Sequence, residues 1–161
     1  MAHEDQVARS AGGCAKRDGG PTYQASPAVP NMDEVDRRNT TLMKELVDKI
    51  GWPTIPLVGS DGARSAWLLV QHADHDVEWQ EYSLQLMEAH RATGQVSRAD
   101  IAYLTDRVLV NQGKSQVYGT QFHSVGGVRK PRPIQNLEHV EERRKEMGLT
   151  TLEEYTKFLD T

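Results

Sequence analysis

The chain reads as a mainly α protein: a compact helical domain of five to six helices with one small β-hairpin or irregular β element. Three observations lead there. Apolar residues recur at helical spacing from Val35 to Leu159. Gly51, Gly94 and Gly148 stand where helices stop. Only Gln116–Phe122 alternates apolar and polar residues as a strand does.

Residues 1–32 precede this pattern. They contain no Leu, Ile, Phe or Trp but include Gly12, Gly13, Gly19, Gly20, Pro21, Pro27 and Pro30. So little apolar area cannot offset the entropy of ordering, and the segment reads as a disordered tail, leaving 33–161 as a single helical domain. Cys14 lies in that tail, where no fixed electropositive surround would activate a thiol. It reads as incidental, and a lone cysteine excludes an intramolecular disulfide or a multi-cysteine zinc site.

The first helix begins near Asp33, with Val35, Asn39, Leu42, Leu46 and Ile50 at helical spacing and Gly51 as its stop. Trp52-Pro53 forces an extended exit. Ile55, Leu57 and Val58 read as a connector and Gly59–Gly62 as a turn before a second helix, about Ala63–Ala73. Apolar on most sides at Ala66–Val70, that helix should be central and buried. Asp76 caps a third helix over 77–93, with Val77, Leu84 and Met87 inward. Ser97 and Asp100 resemble a capping box for a fourth, whose core stripe is Ile101, Leu104 and Val108. After the β element, Asn136 caps a fifth helix ending at Gly148, and Thr151 with Glu154 opens a short last one. Glu141–Glu146 reads as an exposed charged face, and Arg129, Lys130 and Arg132 as solvated charges.

The 161 residues carry a formal net charge of −4, a poor balance for gripping phosphates, so nucleic acid is not an expected partner. No stretch approaches the roughly 18 consecutive apolar residues of a membrane span, and the first residues lack a secretory pattern, so a cytoplasmic protein is expected. The nucleophile-elbow, dinucleotide-binding and Cys-x-x-Cys motifs are missing, so no cofactor is expected. Gly113-Lys114-Ser115 has no upstream glycine at phosphate-loop spacing and follows a helix instead of a strand, so that reading is rejected.

Polar residues beside apolar helices are the candidates for chemistry. Gln71, His72 and Asp74 close the second helix, where the helix C-terminus favours an imidazolium and suits His72 to proton transfer near neutral pH. The alternative is a structural histidine paired with a carboxylate. A metal site at His72, Asp74 and His75 is a weaker option, since neighbouring helical residues diverge by about 100°. Asp106-Arg107 in the fourth helix is either an inter-helix ion pair or an anchor for an anionic group. Gln116, Tyr118 and Gln121 offer neutral donors and acceptors that would orient a carbonyl, or else form a satisfied turn network.

Gly51-Trp52-Pro53, Trp67–Asp74, Asp106-Arg107 and Gly113–Gln121 together resemble a bacterial family catalogued as a domain of unknown function. The resemblance covers about residues 35–158 and implies domain limits, with no activity attached.

The leading expectation is a small, metal-independent, cofactor-free enzyme acting on a small polar or peptide-like metabolite, in the manner of specialised biosynthesis. His72 would transfer the proton and Asp74 or Asp106 orient it. Arg107 would hold an anionic group while Gln71, Gln116, Tyr118 and Gln121 line the substrate. Hydrolysis, elimination and cyclisation all suit this set. The competing expectation is a noncatalytic ligand-binding or interaction domain whose polar cluster is an internal network.

Overall fold

The computed structural model describes residues 31–160; the expected tail and Cys14 lie outside them. Among the described residues, six α-helices and one antiparallel hairpin make up the mainly α fold. They are α1 (Met32–Ile50), α2 (Ile55–Gln71), α3 (Val77–Ala89), α4 (Arg98–Asn111), β1 (Phe122–Val125), β2 (Val128–Pro131), α5 (Val140–Glu146) and α6 (Leu152–Leu159). A 3₁₀ turn, Leu137–His139, leads into α5.

The capping residues act as read at most ends. Asn31 accepts from the Asp33 amide and starts α1 at Met32, one residue before the expected start of the domain at 33. Asp76 accepts from the Trp79 amide at the head of α3, and burial of its charge is outweighed by Lys44, whose ammonium at 2.6 Å holds the carboxyl below its ordinary value. Thr151 and Glu154 form a full capping box. Ser97 accepts from the Asp100 amide as expected, but the Asp100 carboxylate turns towards Arg64 instead of closing the box. Asn136 departs from expectation: it sits at φ 41°, its side chain caps nothing, and the following turn is 3₁₀ before α5 begins.

The second helix starts earlier than its glycines suggest. Ile55–Val58 is helical because Pro56 stands in the first turn, where its missing N–H costs nothing, and the break falls at Gly59 alone (φ 74°, ψ 169°). Two core stripes are also displaced. In α1 the buried positions are Val35, Asn39, Thr40, Met43 and Val47, while Leu42 and Ile50 are exposed. In α3 they are Trp79, Gln80, Ser83 and Met87, and the helix ends at Ala89 instead of residue 93. The expected stripe of α4 is fully inward, with Ile101, Leu104 and Val108 buried.

The core gathers Met43 and Val47 of α1, Trp67 and Val70 of α2, Met87 of α3 and Leu104 of α4, closed from below by Met147. Helix α2 is the hub, touching α1, α3 and α4. Its Trp67 indole donates to the Asp100 carbonyl at 3.0 Å and meets Tyr103 edge-on. Beside it the Asp100 side chain is only 14% exposed, and burial raises its pKa from 3.8 to about 6 despite Arg64. Helices α5 and α6 lie against the hairpin side, with Tyr155 edge-on to Tyr103 and Phe122. No helix among the described residues is long and apolar enough to cross a membrane.

Two outcomes follow from these placements. Between pH 3.8 and about 6 the unfolded chain holds fewer protons at Asp100 than the folded one. Stability should therefore fall as pH rises through that window and level off above it, by about 3 kcal/mol at most. Denaturant titrations should find Asp100→Asn more stable than wild type near neutral pH and equal to it only well below pH 3.8. Gly119 has φ +72° and a Cβ there would stand 2.9 Å from both Ile134 Cδ1 and Leu152 Cδ1. Gly119→Ala should lower the urea midpoint by the equivalent of about 1–3 kcal/mol.

Candidate functional site

Asp106 is fully buried on α4, facing the irregular segment between α4 and β1. Its Oδ1 accepts from the amides of Val117 at 2.7 Å and Tyr118 at 3.0 Å. Its Oδ2 accepts from the Thr120 amide and hydroxyl, both at 2.9 Å. A carboxylate so surrounded is a fastener for backbone donors.

Gln116 and Gln121 belong to the same fastening. The Gln116 amide donates to the carbonyls of Gln121 at 2.9 Å and Arg132 at 2.8 Å, while its Oε1 accepts from the Gln121 amide at 2.8 Å. The Gln121 side chain donates to the Thr120 hydroxyl at 3.0 Å. Gln116 also bridges Ile134 in parallel, so the expected alternating strand is a bound loop and the hairpin begins only at Phe122. The Tyr118 ring is half-buried against the core, and burial pushes its phenol above its ordinary pKa.

The carbonyl side of this loop is gripped by two arginines. Arg143 Nε donates to the Val117 carbonyl at 2.9 Å. Arg144 Nη1 donates to the Tyr118 carbonyl at 2.7 Å and its Nε to Thr150 at 2.7 Å. The expectation of an exposed charged face on α5 is corrected here, since Arg144 is 1% exposed and stacks over Tyr155. Charge periodicity in a seven-residue helix cannot distinguish a solvated arginine from one reaching the loop behind it.

Arg107 follows Asp106 but points elsewhere, as the rotation of about 100° per residue requires. Its Nη1 lies 3.4 Å from Asp74 Oδ2, joining α4 to the turn after α2. The other Asp74 oxygen accepts from Asn111 Nδ2 at 2.8 Å and Gln80 Nε2 at 3.1 Å. Gln80 is wholly buried, donates also to the Val70 carbonyl at 3.1 Å, and accepts from Asn111 at 2.9 Å. Sequence reasoning missed Gln80 and Asn111. The signal for Gln80 was its place beside Trp79 on the buried face of α3; nothing in the sequence marked Asn111.

Asp74 therefore presents a fixed carboxylate at the edge of a cleft of about 380 Å³, lined by His72, Asp74 and His75 on one side and Asp33, Asp36 and Arg37 of α1 on the other. His72 is the C-cap of α2, its amide donating to the Leu68 carbonyl at 3.2 Å. Gln71, immediately before it, is buried with Oε1 lacking a partner among the described residues, and neither amide atom of Asn39, one turn beyond Asp36, is bonded among them. Arg107 Nε is likewise buried and unbonded. Among the described residues no three His, Cys, Asp or Glu side chains group as metal ligands, so His72, Asp74 and His75 do not make the metal site considered from sequence.

The predicted residues thus fall into two sets, back to back across α4. His72, Asp74 and Gln71 meet at or beside the cleft, with Arg107 behind Asp74. Asp106, Gln116 and Gln121 hold the loop on the far face. A sequence model for a family of unknown function (DUF6624) matches residues 1–161. The chain belongs to this family. Family membership takes in the first 32 residues as well, which the resemblance over 35–158 left aside. No curated protein and no solved structure matches the chain.

Replacing Asp106 by Asn keeps its shape but turns an acceptor towards donors as a donor itself. Asp106→Asn should cost about 3 kcal/mol, since bonds to a charged group contribute about 1.5–3 kcal/mol each. Hydrogen exchange should quicken at the Val117, Tyr118 and Thr120 amides and stay unchanged in α1.

Proposed function

We propose that this protein is a small acid–base enzyme working at the α1–α2 cleft, with His72 as the proton-transfer group and Asp74 as its fixed carboxylate partner. One observation carries the reading: Asp74 is held from α3 and α4 by Gln80, Asn111 and Arg107, at the rim of a cleft that His72 also lines. An orientation fixed by three partners suits catalysis, because the acid or base need not reorganise during the reaction. The cleft volume of about 380 Å³ lies in the usual range for small-molecule sites.

Asp33, Asp36 and Asp74 line it against Arg37, favouring a substrate that brings an amine or amide N–H, in keeping with a small polar or peptide-like metabolite. Proton transfer by His72 would serve hydrolysis, elimination or cyclisation alike. In this reading Asp106, Gln116, Tyr118 and Gln121 are scaffold, and their only part is to hold the loop.

A noncatalytic ligand-binding domain is the second reading, and the same scaffold favours it. Two of the side chains expected at the site, Asp106 and Gln116, are engaged with backbone, and that of Gln121 with the Thr120 hydroxyl. The two readings separate in one experiment. Small amine- and amide-bearing metabolites are screened for shifts of the His72 and His75 backbone amides by NMR, and each binder is then followed for conversion. The catalytic reading expects conversion of a binder, with His72→Gln still binding it and turning it over about 100-fold or more slowly. Binders that are never converted, or equal rates in wild type and His72→Gln, would leave the binding domain as the function.

A further inference from the structure

A second cavity opens some distance along α2 from His72, about 12 Å away by helix rise from Arg64. It lies between the kinked start of α2 and the first turn of α4 and holds about 190 Å³. An engineered apolar cavity of roughly 150 Å³ accommodates benzene, so this one has room for a single ring with a short polar arm. Its walls are rigid and largely apolar: Trp52 is 4% exposed, Trp67 8% and Met87 0%. Trp67 is pinned by its indole bond to the Asp100 carbonyl and by Tyr103.

One acid belongs to that wall. The Asp100 side chain is 14% exposed, and no hydrogen bond reaches its carboxylate among the described residues. Its single ion pair is with Arg64 at 3.9 Å, a side chain that is 72% exposed and lies over the outer face of Trp67. Such a contact is long and screened by water, so it contributes little. A mostly buried carboxylate without donors is unfavourable unless something supplies them. Its place in the first turn of α4 favours the anion through the helix dipole, yet burial still dominates. What remains unsatisfied is one negative charge beside two indole rings in a cavity of ring size.

We propose that this cavity is a binding site for a small aromatic amine, whose ammonium meets the Asp100 carboxylate and whose ring lies against Trp52 and Trp67. The ammonium would replace Arg64 as the partner of Asp100, at closer range and with less water between the charges. The ring would fill space bounded by side chains that already hold their positions, so little ordering entropy is lost on binding. Ser60 and Ser97 at the edge are available to a second polar group on the ligand.

The test uses three probes of one shape: benzylamine, benzyl alcohol and benzoate, each titrated against the full chain while the Trp67 indole N–H is followed by NMR. Benzylamine should shift that signal saturably and bind at least about tenfold tighter than the alcohol, with benzoate weakest; tenfold is a modest charge–charge contribution. Asp100→Asn should abolish the preference for the amine over the alcohol, and its circular dichroism should match wild type. Ala63→Leu fills the cavity from α2 without touching the charge, and should weaken amine and alcohol together. Equal binding of alcohol and amine would mean an apolar hole without charge selection and would overturn the proposal. Tighter binding of benzoate would make Arg64 the recognising group, and failure of all three to move Trp67 would remove the site. None of these outcomes bears on the His72 cleft, which the probes would report through different amides.

Discussion

A carboxylate with no access to solvent persists only if protein donors replace its hydration, and much of this structure follows from how that is done at Asp106. Three residues of one loop, Val117, Tyr118 and Thr120, turn their N–H groups inward to meet it. Turning amides in forces the intervening carbonyls out, and an outward carbonyl against protein needs a donor of its own. Arg143 and Arg144 supply those donors from α5. The irregular segment after α4 is thereby bonded on both edges, as a strand inside a sheet would be, although it has almost no regular pairing.

Helix α4 divides the polar interior. Its adjacent residues Asp106 and Arg107 serve different faces, about 100° apart, the first tying down the loop and the second reaching Asp74. The loop face is saturated with bonds. The cleft face is not: Gln71, Asn39 and Arg107 each keep buried polar atoms without partners, at positions next to lining residues. Buried donors and acceptors left open usually destabilise a fold by about 1–3 kcal/mol each. Trp79, Ser83 and His123 carry such atoms as well, so open bonds occur on the cleft side without being confined to it.

Much of the fold could be read from the sequence because it rests on local signals. Caps at Asp76, Ser97 and Thr151 and the stop at Gly51 act over one helical turn, and each marks its helix end. The inward stripes were less legible, since Leu42 or Met43 can each face the core under a small helix rotation and only packing against α2 selects Met43. The helical first turn of α2 was hidden because Gly59 breaks the helix, which reads like a loop though a proline has already started it. Of the site, His72 and Asp74 were found together because they are neighbours in sequence. Gln80 and Asn111, which hold Asp74, arrive from other helices, and a single sequence carries no sign of such meetings. Asp106 stood out beside Arg107 as an ion pair or an anchor for an anionic group, whereas its donors are mostly main-chain groups, which leave no trace in residue identity.

The two-sided fastening of the loop also constrains how this chain can change. Asp106, Gln116, Thr120 and Arg144 each answer a backbone or side-chain group that another of them fixes in place. Loss of one leaves an exposed demand that its neighbours cannot meet by themselves, because each has already committed its polar atoms. Substitutions at these positions are therefore coupled, and a path to a different loop conformation must alter several of them in concert. At the cleft a second interlock joins Asp74, Gln80, Asn111 and Arg107. Asp33 and Arg37, on the α1 wall, take part in neither network among the described residues, so that wall can change singly while the loop on the other side of α4 stays the same.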